Sequence, residues 1–190
     1  KNLQQIHNQV ANDFLKQSLA EPGVESPADI LNFLNEKIAS HLNQTSGSQM
    51  PDGMDLSLTG IDYVGKTLIY SGANNPLYIF RMTGETIDQI ILTPSKQPIG
   101  LITQDTQKIT NREFKLQSGD MIYLFSDGFA DQFGGEHNKK LTYKRFREYL
   151  TEAYPLPAAA QKALLVSKFD AWKDIENQTD DVCVMGIRIP

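Results

Sequence analysis

The sequence predicts an α+β domain in which helices and antiparallel strands occupy separate stretches of the chain. Apolar residues recur with helical spacing before Asn43 and again after Thr142, whereas the stretch from Met54 to Phe125 alternates with the period of two typical of strands. Short turns containing Gly, Asn and Pro separate the strand candidates. This order of helices, strands, helices and a last strand differs from a βαβ array. For a chain of 190 residues we expect a single domain, 1–190, with a sizeable core.

Two helices are predicted at the N-terminal end. The apolar stripe of the first helix recurs every four residues, at Ile6, Val10 and Phe14. Ser26 has the features of an N-cap for the second helix, with Pro27 at the first helical position and Asp29 three residues after the cap. This helix is expected to end near residue 42 and to bury one face, formed by Ile30, Leu34, Ile38 and Leu42.

The middle of the chain is predicted to form an antiparallel meander and two further strands. The strand candidates are Met54–Asp62, Thr67–Ser71, Leu77–Met82, Thr86–Leu92, Lys108–Leu116 and Met121–Phe125. Three closely spaced hairpin signals separate the first four, which is typical of a meander. The segment from Thr93 to Thr106 carries two prolines and a glycine, and we expect it to cross the sheet as a loop.

The C-terminal part is predicted to contain a flexible segment, two helices and a strand. Gly134-Gly135 begins a stretch through Lys140 that we interpret as a mobile flap or surface loop near the cleft. Thr142 is expected to cap a short helix, which two prolines end at residues 155–157. The next helix should bury one stripe, with Trp172 as its largest anchor; the stripe comprises Leu165, Phe169 and Trp172.

Composition excludes several classes of function. A formal net charge of −5 and the absence of a basic stripe argue against nucleic acid as the main partner. Cys183 is the single cysteine, so no internal disulfide can form; we expect it to be a small buried residue of the last strand. No apolar run approaches the roughly 18 residues of a membrane span. We expect a cytoplasmic location without membrane contact by this domain. This expectation includes the case in which the chain is the cytoplasmic domain of a larger sensor protein.

Two acidic positions stand beside apolar strands. Asp127, in Ser-Asp-Gly, follows the strand Met121–Phe125, and Asp180-Asp181 precede another apolar run. A carboxylate at the end of a buried strand is held rigidly, as a ligand of Mg²⁺ or Mn²⁺ must be, so the two strand ends are candidates to converge on one metal site. The alternative is that Ser-Asp-Gly and Asp180-Asp181 are ordinary polar turns.

Five segments together resemble one family. In chain order they are Asp52–Asp55, Ser71–Tyr78, Pro98–Gly100, Asp127–Gly135 and Thr179–Gly186. In order and spacing this set is similar to the SpoIIE-type phosphatases, the bacterial branch of the metal-dependent protein phosphatases (PPM, type 2C-like). The resemblance runs from about Pro27 to Ile189. It implies an α/β/β/α sandwich of antiparallel sheets flanked by helices.

The resemblance also implies an activity. Members hydrolyse phosphoserine or phosphothreonine at a two-metal centre of Mn²⁺ or Mg²⁺, by a metal-bridged hydroxide. They act as outputs of bacterial signalling pathways, and the substrate is a phosphorylated protein, often an anti-sigma-factor antagonist. We therefore expect this chain to be a domain of a Ser/Thr protein phosphatase.

The same resemblance implies the site residues. Asp127 and Asp180 would be metal ligands, and no catalytic residue is expected beyond such ligands. Gly128 would let the backbone pass close to metal-bound waters. Asp181 stands where relatives carry a neighbouring polar residue, so its role is less defined. Asp131 would lie close enough to order water beside the metal ligands.

One departure from the family pattern concerns the start of the chain. The family has an early Asp and then an Asp ahead of a Gly-His-Gly segment, and neither motif is found near Lys1–Gln5. The N-terminal strands and the first metal half-site are thus expected to be missing, in a fragment or in a shortened member. We expect this chain alone to be inactive and prone to self-association. The alternative function is a non-catalytic pseudophosphatase that binds a signalling partner; the sequence upstream of Lys1 would discriminate the two.

Overall fold

The computed structural model describes residues 12–45, 53–101 and 106–190. These residues belong to two compact units. The first unit comprises Lys1–Leu77 and Leu92–Leu116, and the second comprises Tyr78–Ile91 and Gln117–Pro190. Each unit has its own antiparallel sheet and its own apolar cluster. No helix in the described ranges is long and apolar enough to cross a membrane.

Two helices precede the strands of the first unit: α1, helical over residues 12–18, and α2, Pro27–Thr45. The predicted cap of α2 is confirmed, because the Ser26 backbone N–H donates to Asp29 Oδ2 (3.0 Å) and the Asp29 N–H donates to Ser26 Oγ (3.3 Å). The hydrogen bond from the Ser26 hydroxyl lowers the pKa of Asp29. Leu31, rather than Ile30, is fully buried beside Leu34 and Ile38. The predicted positions Ile6, Val10 and the side chain of Leu42 lie outside the described residues.

The sheet of the first unit has three strands in the order β1-β2-β5. These are β1 (Leu56–Asp62), β2 (Thr67–Ala73) and β5 (Arg112–Lys115). The predicted strand Lys108–Leu116 is therefore too long, and two asparagines explain the difference. Asn32 exchanges hydrogen bonds with the backbone N–H and carbonyl of Ile109 (both 2.9 Å), and Asn111 accepts from the N–H of Ala28. Ile109 and Asn111 thus bond to α2, and the link from this segment to β2 runs through the Ser71 hydroxyl, which donates to the Thr110 carbonyl and to Asn111 Oδ1, instead of through a strand ladder.

The predicted single meander is wrong, because the chain changes sheets after β2. β3 (Leu77–Thr83) and β4 (Thr86–Leu92) form the second sheet with β6 (Met121–Phe125) and β9 (Val184–Arg188), in the order β4-β3-β6-β9. Asn74 adopts the left-handed conformation (φ 59°), and its N–H donates to Ser95 (2.9 Å). Pro76 has no N–H to extend the first sheet. The two hairpins themselves are where the turn signals place them.

The second unit continues with α3 (Gly128–Asp131), a two-stranded hairpin and two longer helices. The hairpin pairs β7 (Phe133–Gly134) with β8 (Lys139–Lys140) and occupies the stretch predicted to be a mobile flap or surface loop, whose mobility stays a prediction. The helices are α4 (Thr142–Ala153) and α5 (Ala158–Lys173). The prediction that Thr142 caps α4 is wrong. Thr142 is the first residue of the helix, with φ 75°, and Leu141 occupies the cap position.

The core of the second unit is largely aromatic. Its buried residues are Tyr78, Phe80, Met121, Tyr123, Phe125, Phe129, Leu141, Phe146, Leu150, Tyr154, Leu165 and Phe169. Trp172 packs against this cluster but is only partly buried, so it is less of an anchor than predicted. Cys183 is exposed and precedes β9, contrary to the prediction of a buried residue within the strand. β9 ends the strand order and pairs only with β6 among the described strands, which leaves most of it accessible.

Candidate metal centre

The strand β6 brings Asp127 to the candidate site. β6 pairs with β3 on one side and β9 on the other, and four of its five residues are buried. Ser126 and Asp127, directly after it, are half-buried. Asp127 then begins α3, since its carbonyl oxygen accepts the N–H of Asp131 at 2.9 Å. The Asp127 carboxylate therefore stands between a buried strand and a helical turn, two elements that limit its movement.

The structure brings the two predicted acidic segments together. The Ser126 N–H donates to the Cys183 carbonyl (3.0 Å), and the Cys183 N–H donates to Ser126 Oγ (2.9 Å). The Ser126 hydroxyl in turn donates to the carbonyl oxygen of Asp181 at 2.8 Å. The turn that carries Asp127 is therefore bonded directly to the segment that carries Asp180 and Asp181.

Gly128 lies directly against the backbone of the second segment. A Cβ atom placed on Gly128 would lie 2.5 Å from the Asp181 carbonyl oxygen and 3.3 Å from the Asp180 carbonyl carbon. No L side chain fits there without moving backbone atoms. A glycine is thus required by the packing of the two acidic segments, a reason that the sequence pattern did not show.

Asp180 and Asp181 are both exposed. Asp180 Oδ1 accepts the N–H of Asp181 (2.6 Å), and the Gln178 side-chain amide donates to the Asp180 carbonyl (2.8 Å). Both hydrogen bonds are local, joining residues one or two positions apart, as the alternative of an ordinary polar turn would also have them. Asp180 Oδ2 accepts no hydrogen bond from any residue that the structure describes. This oxygen is therefore available to bind a metal ion.

Asp131 lies on α3, one helical turn after Asp127, and its carboxylate pairs with Lys140 of β8 (2.8 Å). The side chains are 38% and 50% exposed, so this ion pair contributes little to stability. It does connect α3 to the hairpin. Its role in ordering water remains a prediction.

Sequence reasoning assigned no role to Gln132, which directly follows α3 and is fully buried. Its side-chain amide donates to the carbonyls of Phe133 and Asn177 (both 2.9 Å) and accepts the N–H of Thr179 at 3.0 Å. Its backbone carbonyl accepts the indole N–H of Trp172 (3.1 Å). The available signal was weak: a polar pair, Asp131-Gln132, between the apolar residues Phe129-Ala130 and Phe133.

The donors at this site suit a hard divalent cation. Carboxylate and carbonyl oxygens are the ligands that Mg²⁺ and Mn²⁺ prefer, and Asp127 and Asp180 supply such oxygens from two adjoining segments. Across the described residues, no group of three or more His, Cys, Asp and Glu side chains is placed to hold a metal ion. The residues present therefore fit a cation held by few carboxylates with water completing its coordination, and they do not form a full two-ion centre.

The family model described as Stage II sporulation protein E (SpoIIE) matches residues 9–190. The chain belongs to the SpoIIE family. This confirms the family predicted from the five motifs, and the match begins earlier than the predicted Pro27. No curated protein sequence matches the chain.

Solved structures agree with this assignment. The SiaA-PP2C domain of Pseudomonas aeruginosa superposes with a TM-score of 0.83 at 26% identity, over 97% of this chain and 70% of that chain. The PP2C phosphatase domain of SpoIIE from Bacillus subtilis, with a fragment of its regulatory domain, gives 0.62 at 18% identity, over 97% of this chain and 48% of that chain. The catalytic domain of the serine/threonine phosphatase PstP, in complex with two manganese ions, gives 0.54 at 20% identity, over 93% and 79%.

These comparisons confirm the predicted fold class. The chain is a SpoIIE-type, PP2C-like phosphatase domain with the mixed helix and antiparallel-sheet fold of the PPM phosphatases. It spans about half the length of the B. subtilis SpoIIE chain that it matches.

Proposed function

We propose that this chain is part of the catalytic domain of a metal-dependent phosphoserine/phosphothreonine protein phosphatase, located in the cytoplasm at the output of a bacterial signalling pathway. The observation that carries the proposal is the contact at Gly128, which places the Asp127 turn against the Asp180–Asp181 segment in a member of the SpoIIE family. The substrate class is a phosphorylated protein, such as an anti-sigma-factor antagonist.

In this proposal the residues of the chain bind the metal ions and fix the positions of the metal ligands. Asp127 and Asp180 present carboxylate oxygens from two backbone segments that Ser126 bonds together. Phosphate monoesters hydrolyse very slowly unless a nucleophile is activated and the charge of the phosphoryl oxygens is neutralised. Mn²⁺ or Mg²⁺ ions, when bound, would supply both effects. Gly128 keeps the segments at contact distance. Asp181 contributes its carbonyl oxygen to the bond with Ser126, and its carboxylate is not needed for that role.

A second candidate function is a pseudophosphatase that binds a phosphoprotein without hydrolysing it. One observation favours it: the described residues contain no cluster of three or more metal-binding side chains. Carboxylates on two adjoining segments can hold a single ion, but one ion gives little neutralisation of a phosphoryl group.

The test uses Asp127→Asn and Asp180→Asn in the full-length protein. Each change removes a negative charge that faces the cation, so each should weaken Mn²⁺ binding in calorimetric titration and lower turnover of a phosphoserine peptide by orders of magnitude. Both variants should fold, since neither carboxylate lies in the core. Asp170→Asn, an exposed Asp on α5, controls for the loss of one charge.

Two outcomes separate the candidates. Unchanged Mn²⁺ affinity in both site variants would contradict the metal assignment. Weakened Mn²⁺ binding in the variants, together with a wild-type protein that binds phosphopeptides without releasing phosphate, would identify a pseudophosphatase.

A further inference from the structure

The segment that carries Asp180 lies between α5 and β9, and residues 176–183 form no helix or strand. Its shape therefore depends on bonds to other elements. On the β9 side, Ser126 bonds to Asp181 and Cys183. On the α5 side, the side chain of Gln132 bonds to Asn177 and Thr179. Asp180 is thus held from both directions along the chain, and Gln132 provides the attachment on one of them.

Gln132 is suited to this role by burial and geometry. Its exposure is 0%, and the three bonds of its amide have lengths of 2.9 to 3.0 Å. Its backbone is fixed as well, because the carbonyl oxygen accepts the Trp172 indole N–H and the Leu141 backbone N–H (2.9 Å). A side chain anchored in this way can restrain the segment that it binds.

The chemistry of these bonds requires an amide. One planar group donates two N–H bonds to carbonyls and accepts one N–H through its oxygen, a combination that only Asn and Gln side chains offer. Glutamate would keep the acceptor and lose both donors, and methionine would keep the approximate shape and lose all three bonds. Asn177 and Thr179 are themselves exposed, so water can replace the partners that they lose, but the segment is then no longer tied to the buried Gln132.

We propose that Gln132 is a positioning residue of the candidate metal centre: its side-chain amide fixes residues 177–179 and thereby holds Asp180 against the Asp127 turn. This inference rests on the proposed function. It adds a group that touches neither metal nor substrate but sets where one of the two carboxylates stands. Mutation of residues that orient metal ligands from outside the coordination sphere typically costs about 10- to 100-fold in metal affinity or activity.

The test compares two buried glutamines in the full-length protein. Gln132→Met removes the three amide bonds at nearly constant size. Gln161→Met is the matched control, because Gln161 is also buried in the second unit and bonds to the Tyr123 hydroxyl and the Leu156 carbonyl (both 2.8 Å). Mn²⁺ affinity is measured by electron paramagnetic resonance of the free ion, and hydrogen exchange of the Thr179 amide is followed without metal.

We expect Gln132→Met to raise the Kd for Mn²⁺ by about 10- to 100-fold and to speed exchange at Thr179. Gln161→Met should change neither quantity, although it can lower stability as much. A folded Gln132→Met protein with the wild-type Kd, or with wild-type exchange at Thr179, would overturn the proposal. If Gln132→Met does not fold, Gln132→Glu replaces it, and wild-type Mn²⁺ affinity there is equally contradictory.

The Mn²⁺ affinities of Asp127→Asn and Gln132→Met together test the metal centre and the positioning role separately. If Asp127→Asn leaves the Kd for Mn²⁺ unchanged, the metal centre itself is wrong, whatever Gln132 does. If Asp127→Asn abolishes binding while Gln132→Met does not weaken it, the centre stands and only the positioning role is lost.

Discussion

Replacing Gly128 with alanine tests directly whether the two acidic segments must touch. The added Cβ would lie 2.5 Å from the carbonyl oxygen and 3.0 Å from the carbonyl carbon of Asp181, and 3.3 Å from the carbonyl carbon of Asp180. All three atoms belong to the backbone, so rotation of a side chain cannot relieve the contact. The segment with Asp180 has to move away from the Asp127 turn.

The size of that movement sets the expected effects. Ordinary contacts between heavy atoms are about 3.5 Å, so the shortest distance must grow by about 1 Å. Overpacking of this kind costs about 1–3 kcal/mol of stability. A displacement of about 1 Å at a catalytic site can lower turnover by about 100-fold. We therefore expect Gly128→Ala to fold with reduced stability. Its turnover should fall by more than the small fraction of unfolded protein can explain.

The assay combines chemical denaturation with Mn²⁺-dependent phosphatase kinetics on the full-length protein. Gly60→Ala is the matched control, because a Cβ there meets only the Pro27 ring, at 4.0 Å, and Gly60 is exposed on β1. It should leave activity unchanged and alter stability by less than about 1 kcal/mol. If Gly128→Ala keeps wild-type stability and activity, the close approach of the two segments is unimportant and the reasoning for this site fails.

Three further predictions concern the core, the helix cap and the chain alone. Trp172→Ala should cost about 3 kcal/mol, at the low end for a large aromatic because Trp172 is only partly buried; a loss within about 0.5 kcal/mol in chemical denaturation would contradict its packing role. The bond to Ser26 lowers the folded-state pKa of Asp29, so the ionised carboxylate stabilises the folded protein. The difference in unfolding free energy between the wild type and Asp29→Asn should therefore be largest at neutral pH and should shrink as the pH falls below 3.8. A difference that does not depend on pH would be inconsistent with the cap. The 190-residue chain with millimolar Mn²⁺ should hydrolyse p-nitrophenyl phosphate no faster than its Asp127→Asn variant, and manganese-dependent turnover that the variant lacks would refute this.

Features encoded by neighbouring residues were predictable from the sequence. The strand Thr86–Leu92 has the predicted bounds, and the cap formed by Ser26 and Asp29 is present, because both depend on residues within a few positions. The partition of the strands into two sheets was not predictable in this way. It depends on the backbone of Asn74, whose N–H bonds to Ser95, a partner that no local pattern specifies.

The candidate site shows the same division. That the segments of Asp127 and Asp180 meet could be predicted, because each adjoins an apolar strand and belongs to a family motif. The groups that hold them together were not, since Gln132 bonds to residues 45 and 47 positions away. The exposure of Cys183 was missed because an apolar run indicates a strand but not its first residue, and β9 begins only at Val184.

The contact between Ser126 and residues 181–183 has a consequence for the order of assembly. Both α4 and α5 lie between the two halves of the candidate site, so Asp127 leaves the ribosome well before Asp180 does. The halves can meet only after β9 has paired with β6, one of the most distant pairings in the second unit. Closing so long a loop is a late and slow event in folding. A nascent or C-terminally shortened chain that lacks β9 would therefore contain Asp127 without its contact to the segment of Asp180 and Asp181.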